Sequence, residues 1–396
     1  MPDKAPIADK TNFKSLRWYD PSVRSAVFQA IAVVLLISLF WQVFNNTLTN
    51  MDKRGISTGF AFLNREAGFG ILMSLIVYDE TWSYGRTFFV GLINTLLVSA
   101  VAIIFATVLG FVIGIARLTN NWLISRMAAV YIEIIRNIPL LLQIIFWAII
   151  LRTLPGPRDS LTLGDTFYLN NRGLFSPRPM YEDGFEFVII SLLLAVVATV
   201  FLWKWAKKRR DITGHNFPVF WSSIALLFIL PGLTFFALGG PVSLELAEMG
   251  RFSMQGGLNI IPEFIALAWA LATYTGAFIA EIVRSGIQAV HTGQTEAARA
   301  LGLCHGPTLR LVIVPQAMRV IIPPLTSQYL NLTKNSSLAT AIGYPDLVAV
   351  FAGTTLNQTG QALEIIGITM ATYLTISLVI SAFMNWYNRK MALVER

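Results

Sequence analysis

Thr295-Glu296-Ala297-Ala298-Arg299-Ala300-Leu301-Gly302-Leu303-Cys304-His305-Gly306-Pro307-Thr308-Leu309-Arg310-Leu311-Val312-Ile313-Val314-Pro315 lies between two strongly apolar segments, yet it is polar, compact and punctuated at definite places. Glu296 to Leu301 are good helix formers. Gly302 stands where a helix C-cap is wanted. Pro307 suits the first turn of a second short helix, and Pro315 marks its exit towards the next apolar run. The spacing predicts a helix–turn–helix elbow at a membrane face, within residues 292–315. Ala297, Ala298 and Leu301 are expected to form a small apolar stripe on it, with Arg299 and Arg310 supplying charge. Small residues on an exposed stripe let another protein approach closely. An ordinary amphipathic connector is the competing reading.

The flanking composition sets the fold class. The chain of 396 residues is 55% hydrophobic and 13% charged, with a mean hydropathy of +0.61. That profile is polytopic and membrane-spanning rather than soluble. The net charge of +8 does not point to nucleic acid, because the basic residues collect beside apolar runs. A single cysteine, Cys304, excludes an intrachain disulfide.

Working outward gives eight expected spans, near 25–44, 87–116, 127–151, 187–203, 217–238, 262–286, 316–338 and 366–387. Residues 1–24 form a basic tail, and the first apolar run has no small-residue cleavage site behind it, so it is expected to be retained. Residues 25–86 hold span one and a long polar stretch. Residues 87–151 and 262–390 carry the remaining spans apart from two, which lie in an insertion, 152–261, otherwise read as polar loops. Residues 391–396 form a short tail. Span seven is expected to be interrupted at Pro323-Pro324. Of the 30 Lys and Arg, 19 fall on the side holding both termini and the elbow, and nine on the other. That asymmetry places both termini and the elbow in the cytoplasm.

Residues able to carry chemistry are few. No G-x-x-x-x-G-K-[ST] occurs, so this chain is not expected to hydrolyse ATP. His215, His291 and His305 lack metal-ligand spacing, and no catalytic triad or metal site is suggested. Glu133 and Arg136, and again Glu281 and Arg284, stand three apart near the cytoplasmic ends of spans three and six, so each pair shares a helix face. Two readings stay open: mutually neutralising pairs, or a polar collar at the mouth of a pathway. Span seven holds the densest polar run. Gln328, Asn331 and Asn335 follow one face, Lys334 adds charge, and Ser336 and Ser337 close the run. These residues could line a pathway for a carboxylate-bearing solute; the alternative is interhelical hydrogen bonding with a snorkelling lysine. Asn94, Thr95 and Ser99 in span two and Thr273, Tyr274 and Thr275 in span six are weaker pathway candidates, since small polar residues at helix contacts are common.

Several ordered motifs resemble one family. Glu296-Ala297-Ala298, Gly302 and Val312-x-Val314-Pro315 are similar to the EAA signature of ABC importer permeases, with valines where isoleucine and leucine are usual. Gly91-Leu92-Ile93-Asn94-Thr95-Leu96, Tyr131-Ile132-Glu133-x-x-Arg136-Asn137-x-Pro139, Tyr274-x-Gly276-Ala277-x-x-x-Glu281-x-x-Arg284 and Lys334-Asn335-Ser336-Ser337-Leu338 resemble the polar amino-acid uptake branch. The match covers about 84–151 and 262–390. Span one and the insertion resemble the larger permease of the general L-amino acid importers of Gram-negative bacteria.

The resemblance implies an all-α polytopic type I ABC importer permease, with a five-helix core plus extra helices, in the bacterial inner membrane. It implies that the elbow is a coupling helix docking on an ATPase subunit. The implied partners are a second, homologous permease, two ATPase subunits holding ATP and Mg, a periplasmic amino-acid-binding protein, the lipid bilayer and L-amino acids. No cofactor on this chain, no enzyme activity and no nucleic acid are implied. A secondary transporter or channel would share the spans without needing the elbow; a membrane scaffold is a third possibility.

Overall fold

The structure, a computed structural model, describes residues 21–53, 58–164, 166–251 and 253–391. The expected tails therefore lie almost wholly outside the described residues. Among the described residues, seven helices are long and apolar enough to cross a membrane, and a bent pair makes an eighth if it is counted as one span. The fold class read from the sequence is the one observed.

Helix α1 (Pro21–Lys53) runs further than its expected span. It is apolar around its whole circumference, with Leu35, Phe40 and Trp41 all exposed, as suits a helix facing lipid. From residue 58 the chain folds back beneath the next helix, α2 (Tyr84–Arg117). Phe62, fully buried, packs there with Tyr84, Leu347, Phe351 and Ile365. The Glu364 carboxylate accepts from the Gly59 amide at 2.6 Å. Around Asp79, the Thr81 hydroxyl and amide and the Trp82 indole donate to its carboxylate and hold it below the usual carboxylate range.

Span three departs from expectation. It is two helices, α3 (Trp122–Asn137) and α4 (Leu140–Arg152), bent by 102°. Pro139 disfavours helical geometry at the residue before it, and Ile138 is accordingly extended at φ −94° and ψ 128°. The carbonyls released at the break are not abandoned. Gln143 Nε2 donates to Ile135 O at 3.0 Å and Ile138 O at 2.9 Å.

The insertion is more structured than a pair of loops. It contributes strands β1 (Leu161–Leu163), β2 (Phe167–Asn170), β3 (Gly173–Ser176) and β4 (Arg178–Tyr181), then helices α5 (Phe185–Thr213) and α6 (Val219–Ala237). Strands β5 (Val242–Glu245), β6 (Glu248–Met249), β7 (Met254–Gln255) and β8 (Leu258–Ile260) follow. They build a four-stranded antiparallel sheet in the order β1-β2-β3-β8 and two antiparallel pairs, β4-β5, which brackets the α5–α6 helices, and β6-β7. This small sheet structure caps the side of the molecule opposite the elbow. Helices α5 and α6 have each other as their main helical partner.

The centre of the bundle is α7 (Pro262–Gln288), the most enclosed span. Its principal partner is α2, and small residues permit the approach. A Cβ at Gly114 would stand 2.7 Å from the Ala280 carbonyl oxygen, and one at Gly110 would collide with Ile279. Helix α7 also packs against α4, α3 and α10 (Val314–Asn335), and α10 against α12 (Ala362–Met391). These helices form the expected five-span core. Between α7 and α10 lie α8 (Thr292–Ala300) and α9 (His305–Thr308); α11 (Leu356–Thr359) precedes α12.

Pro323 and Pro324 do not interrupt span seven, because α10 runs through both. Their missing N–H groups leave the carbonyls of Arg319 and Val320 without helical donors. Beyond α10 the chain tightens into a 3₁₀ turn at Ser336–Ile342 and then widens into a π-type turn at Val348–Thr355.

Candidate functional site

The elbow is formed much as its residues predict. His291 caps α8, its Nδ1 accepting from the Gly293 amide at 3.1 Å. The helix ends at Ala300 with Leu301 as its C-cap, and Gly302 follows with a φ of +78°, the left-handed conformation that only glycine adopts cheaply. Gly302 N donates to Arg299 O at 2.8 Å and Leu303 N to Ala298 O at 3.1 Å, closing the C-cap. Glu296, Ala297, Arg299 and Pro307 are exposed, and Leu301 is 82% exposed.

Two features differ from expectation. Ala298 is buried at 3%, because the turn folds the start of the second arm back over that face; the outward apolar positions are Ala297 and Leu301. The second arm is also not a separate helix. From His305 the chain runs through a π-type turn at Leu309–Ile313 directly into α10, with Pro315 in the first turn of that helix rather than at an exit. A proline is tolerated there because first-turn amides lack helical acceptors anyway.

On the same half of the bundle the charged residues of three helices converge. Arg117 of α2 donates to Glu281 Oε2 at 2.9 Å, and Arg284 Nε bonds both Glu281 oxygens at 3.1 Å. The Glu281–Arg284 pair expected from spacing is formed, and Arg117 joins it from another helix. The Glu133–Arg136 pair is not formed among the described residues. Arg136 instead lays its guanidinium over the Phe278 ring, 4.8 Å from the centroid, a favourable cation–π geometry. Arg117, Glu133, Arg136 and Glu281 surround a cavity of about 360 Å³. One intrahelical pair, Glu281–Arg284, is formed and is joined by Arg117 from α2, so the charged residues form one cluster rather than two separate pairs.

A second cavity, of about 260 Å³, is lined by Tyr274, Thr275, Phe278, Gln328, Asn331 and Asn335. The structure thus brings together Tyr274 and the amide face of α10. Carboxamides both donate and accept, so three of them can serve a solute bearing both charges.

The other pathway candidates lie elsewhere. Asn94 is fully buried; its Nδ2 donates to Met73 O at 2.8 Å and Pro345 O at 2.9 Å. Thr95 Oγ1 accepts from Leu347 N at 2.9 Å. These bonds fix the 345–347 segment against α2, and neither residue lines the cavity. Ser336 is buried and donates to Thr333 O at 2.7 Å, and Ser337 donates to Lys334 O at 2.7 Å, each satisfying its own helix. Lys334 is exposed beside the amide face but does not line the cavity.

Thr275, a weaker candidate from the sequence, lines this cavity as well. Sequence reasoning missed two contributors. Phe278 was masked as an ordinary residue of an apolar span. Asp346, fully buried, caps the 348–355 turn by accepting from Ala349 N at 2.8 Å; nothing in the sequence marks it apart from the preceding proline. Among the described residues no group of three His, Cys, Asp or Glu could hold a metal ion.

Among the described residues, a bundle of seven or eight helical spans with an exposed helical elbow between two of its core spans, and polar cavities within it, is the build of a membrane permease. A family model described as the binding-protein-dependent transport system inner membrane component matches residues 211–393. YhdX of Escherichia coli (strain K12) is 54% identical over 384 residues, covering 96% of this chain and 98% of its own length. The general L-amino acid transport system permease protein AapQ of Rhizobium johnstonii is 51% identical over 379 residues, covering 96% and 94%. A crystal structure of an amino acid ABC transporter with histidines aligns over 78% of this chain and 95% of that chain, at 24% identity and a TM-score of 0.45. The chain belongs to the inner membrane component family of binding-protein-dependent transport systems, the permeases of ABC importers.

Proposed function

We propose that this chain is the translocation subunit of an ATP-driven importer of L-amino acids in a bacterial inner membrane. The observation that carries the reading is its identity to AapQ across nearly all of both chains, joined to an elbow whose Glu296, Ala297, Arg299, Leu301 and Gly302 face outward. In this reading the elbow and both termini are cytoplasmic, and α8 seats in a groove of an ATPase subunit. Hydrolysis belongs to that partner, which holds ATP and Mg; this chain supplies the pathway and the lever. A second, homologous permease completes the pair, most simply as a heterodimer, and a periplasmic amino-acid-binding protein delivers the solute.

Within the chain, the cavity of Tyr274, Gln328, Asn331 and Asn335 serves as the amino-acid way station. Lys334 stands beside it, exposed where the second permease or the pathway would meet it, and would attract the substrate α-carboxylate. The ring of Arg117, Glu133, Arg136 and Glu281 forms the cytoplasmic mouth.

The test is reconstitution of the tagged chain with its co-purifying proteins. An ATPase should come down with it, and uptake of amino acids into vesicles should require both ATP and a soluble binding protein. Uptake by this chain alone, driven by an ion gradient, would instead identify a secondary transporter.

A further inference from the structure

The hairpin of α5 and α6 takes no part in the elbow or the cavities. At its tip, on the elbow side, lie Lys204, Lys207, Lys208, Arg209 and Arg210 against a single acid, Asp211. Asp211 Oδ1 is 3.9 Å from Arg210 Nε, and both side chains are more than half exposed, so this contact neutralises little. Between the two helices at this tip is a cavity of about 460 Å³, lined by Trp203, Lys207, Arg210, Asn216 and Phe217 among others. Its floor is formed at Ala206, whose small side chain is buried between the helices.

Helical periodicity places the basic residues on different faces. Trp203, Lys207 and Arg210 recur at i, i+4 and i+7, one stripe, which is the stripe that lines the cavity. Lys204 and Lys208 point to a neighbouring face, and Arg209 stacks over Trp205 at 5.3 Å from its centroid. The cavity opens beside the start of α6, whose first-turn amides receive no side-chain cap, leaving a partial positive charge there. Beyond the cavity along both helices the surface is apolar and exposed, with Phe201, Phe220 and Trp221 among the large side chains. Cations above aromatic residues above exposed apolar helix is the vertical order of a phospholipid: phosphate, glycerol interface, acyl chain.

We propose that this cavity is a binding site for one anionic phospholipid of the adjoining leaflet. Lys207 and Arg210 engage the phosphodiester, Asn216 bonds the headgroup or glycerol oxygens, and the acyl chains lie on the exposed faces of α5 and α6. The five basic residues together attract anionic lipid to the tip, but only the inward pair selects a held molecule. The site would give the hairpin, which packs mainly on itself, a lipid contact at its membrane boundary.

The experiment uses the full chain in nanodiscs of equal parts phosphatidylglycerol and phosphatidylcholine, released into the gas phase for native mass spectrometry. The wild-type chain should retain discrete phosphatidylglycerol adducts in preference to phosphatidylcholine. A charge-assisted contact to the phosphodiester contributes roughly tenfold to binding, so the double variant Lys207→Gln/Arg210→Gln should lose about 100-fold in adduct affinity. Lys204→Gln/Lys208→Gln, which removes the same charge from the same turn, should retain the adducts. Equal loss in the two double variants would show diffuse attraction and overturn the site. So would full retention in Lys207→Gln/Arg210→Gln, or the absence of any phosphatidylglycerol preference in the wild-type chain.

Discussion

Replacing Gly302 tests whether the elbow acts through its backbone geometry. At this position φ is +78° and a built Cβ would meet nothing within 4 Å. A side chain there meets no neighbour, so the penalty is the intrinsic one for an L-residue in the left-handed region, about 1–2 kcal/mol, with a β-branched residue at the upper end. At about 2 kcal/mol the capped turn is disfavoured roughly 30-fold relative to competing conformations. What would be lost is local: the Gly302 N–Arg299 O and Leu303 N–Ala298 O bonds, at 2.8 and 3.1 Å. The spans are packed elsewhere, so Gly302→Val should insert and assemble normally while α8 is aimed wrongly. A graded series sharpens this. Asparagine tolerates left-handed geometry best among non-glycine residues, so Gly302→Asn should couple nearly normally, Gly302→Ala less well and Gly302→Val poorly. The assay is ATP hydrolysis stimulated by loaded binding protein in reconstituted complexes, with membrane insertion measured separately. Wild-type stimulation in Gly302→Val would refute the reasoning. Equal damage from Asn and Val would also refute it, since side-chain volume at a contact, not backbone geometry, would then be the cause.

Four further outcomes are expected. Glu281→Gln leaves Arg117 and Arg284 without the carboxylate both engage; with the pair about a quarter exposed, the loss should be about 1–2 kcal/mol, read as a lower unfolding midpoint in detergent. Asn94→Leu strands the Met73 and Pro345 carbonyls and should cost about 1–3 kcal/mol of stability, with amino-acid selectivity unchanged in the surviving protein. Lys334→Met should depress uptake of every amino acid, acidic and neutral alike, in an assembled complex; a near-normal rate for both kinds would remove Lys334 from the pathway. Cysteines introduced at 207 and 299 should label only from the cytoplasm and one at 163 only from outside, and any of the three on the wrong side would break the topology.

The parts legible in the sequence were those governed by local chemistry. Span number followed from apolar length, and the elbow from helix formers ending at a glycine, a pattern that needs no tertiary information. The α3–α4 break was half-legible. Pro139 stood in the sequence, but hydropathy runs unbroken across it, and what makes a sharp bend tolerable is Gln143 reaching back to two carbonyls. The strands of the insertion were hidden by their brevity, three or four residues at most, among turn residues that dominate any window. Side-chain roles were least legible. Asn94 and Asn331 are the same residue type on polar faces of apolar helices. Only the folding of 345–347 against α2 makes the first a clamp, and only the approach of α7 makes the second a cavity wall.

That approach also explains why the elbow is attached where it is. Along α7, Tyr274 and Thr275 face the amide cavity, Glu281 faces the charged one, and Phe278, between them in sequence, lines both. Arg136 holds its guanidinium against that same ring. The two cavities therefore meet at one aromatic side chain on the helix that continues, within four residues of its end, into α8. The other wall of the amide cavity is α10, which the chain enters directly from the elbow's second arm. On the proposed reading of the elbow, a displacement of α8 would reach both walls through unbroken or nearly unbroken helix, since helices are stiff along their axes compared with loops. Small glycine-mediated contacts fix α7 against α2, giving the motion a surface to work against. The elbow and the cavities thus belong to one pair of helices, and the charged cluster and the amide cavity share Phe278 on the first of them.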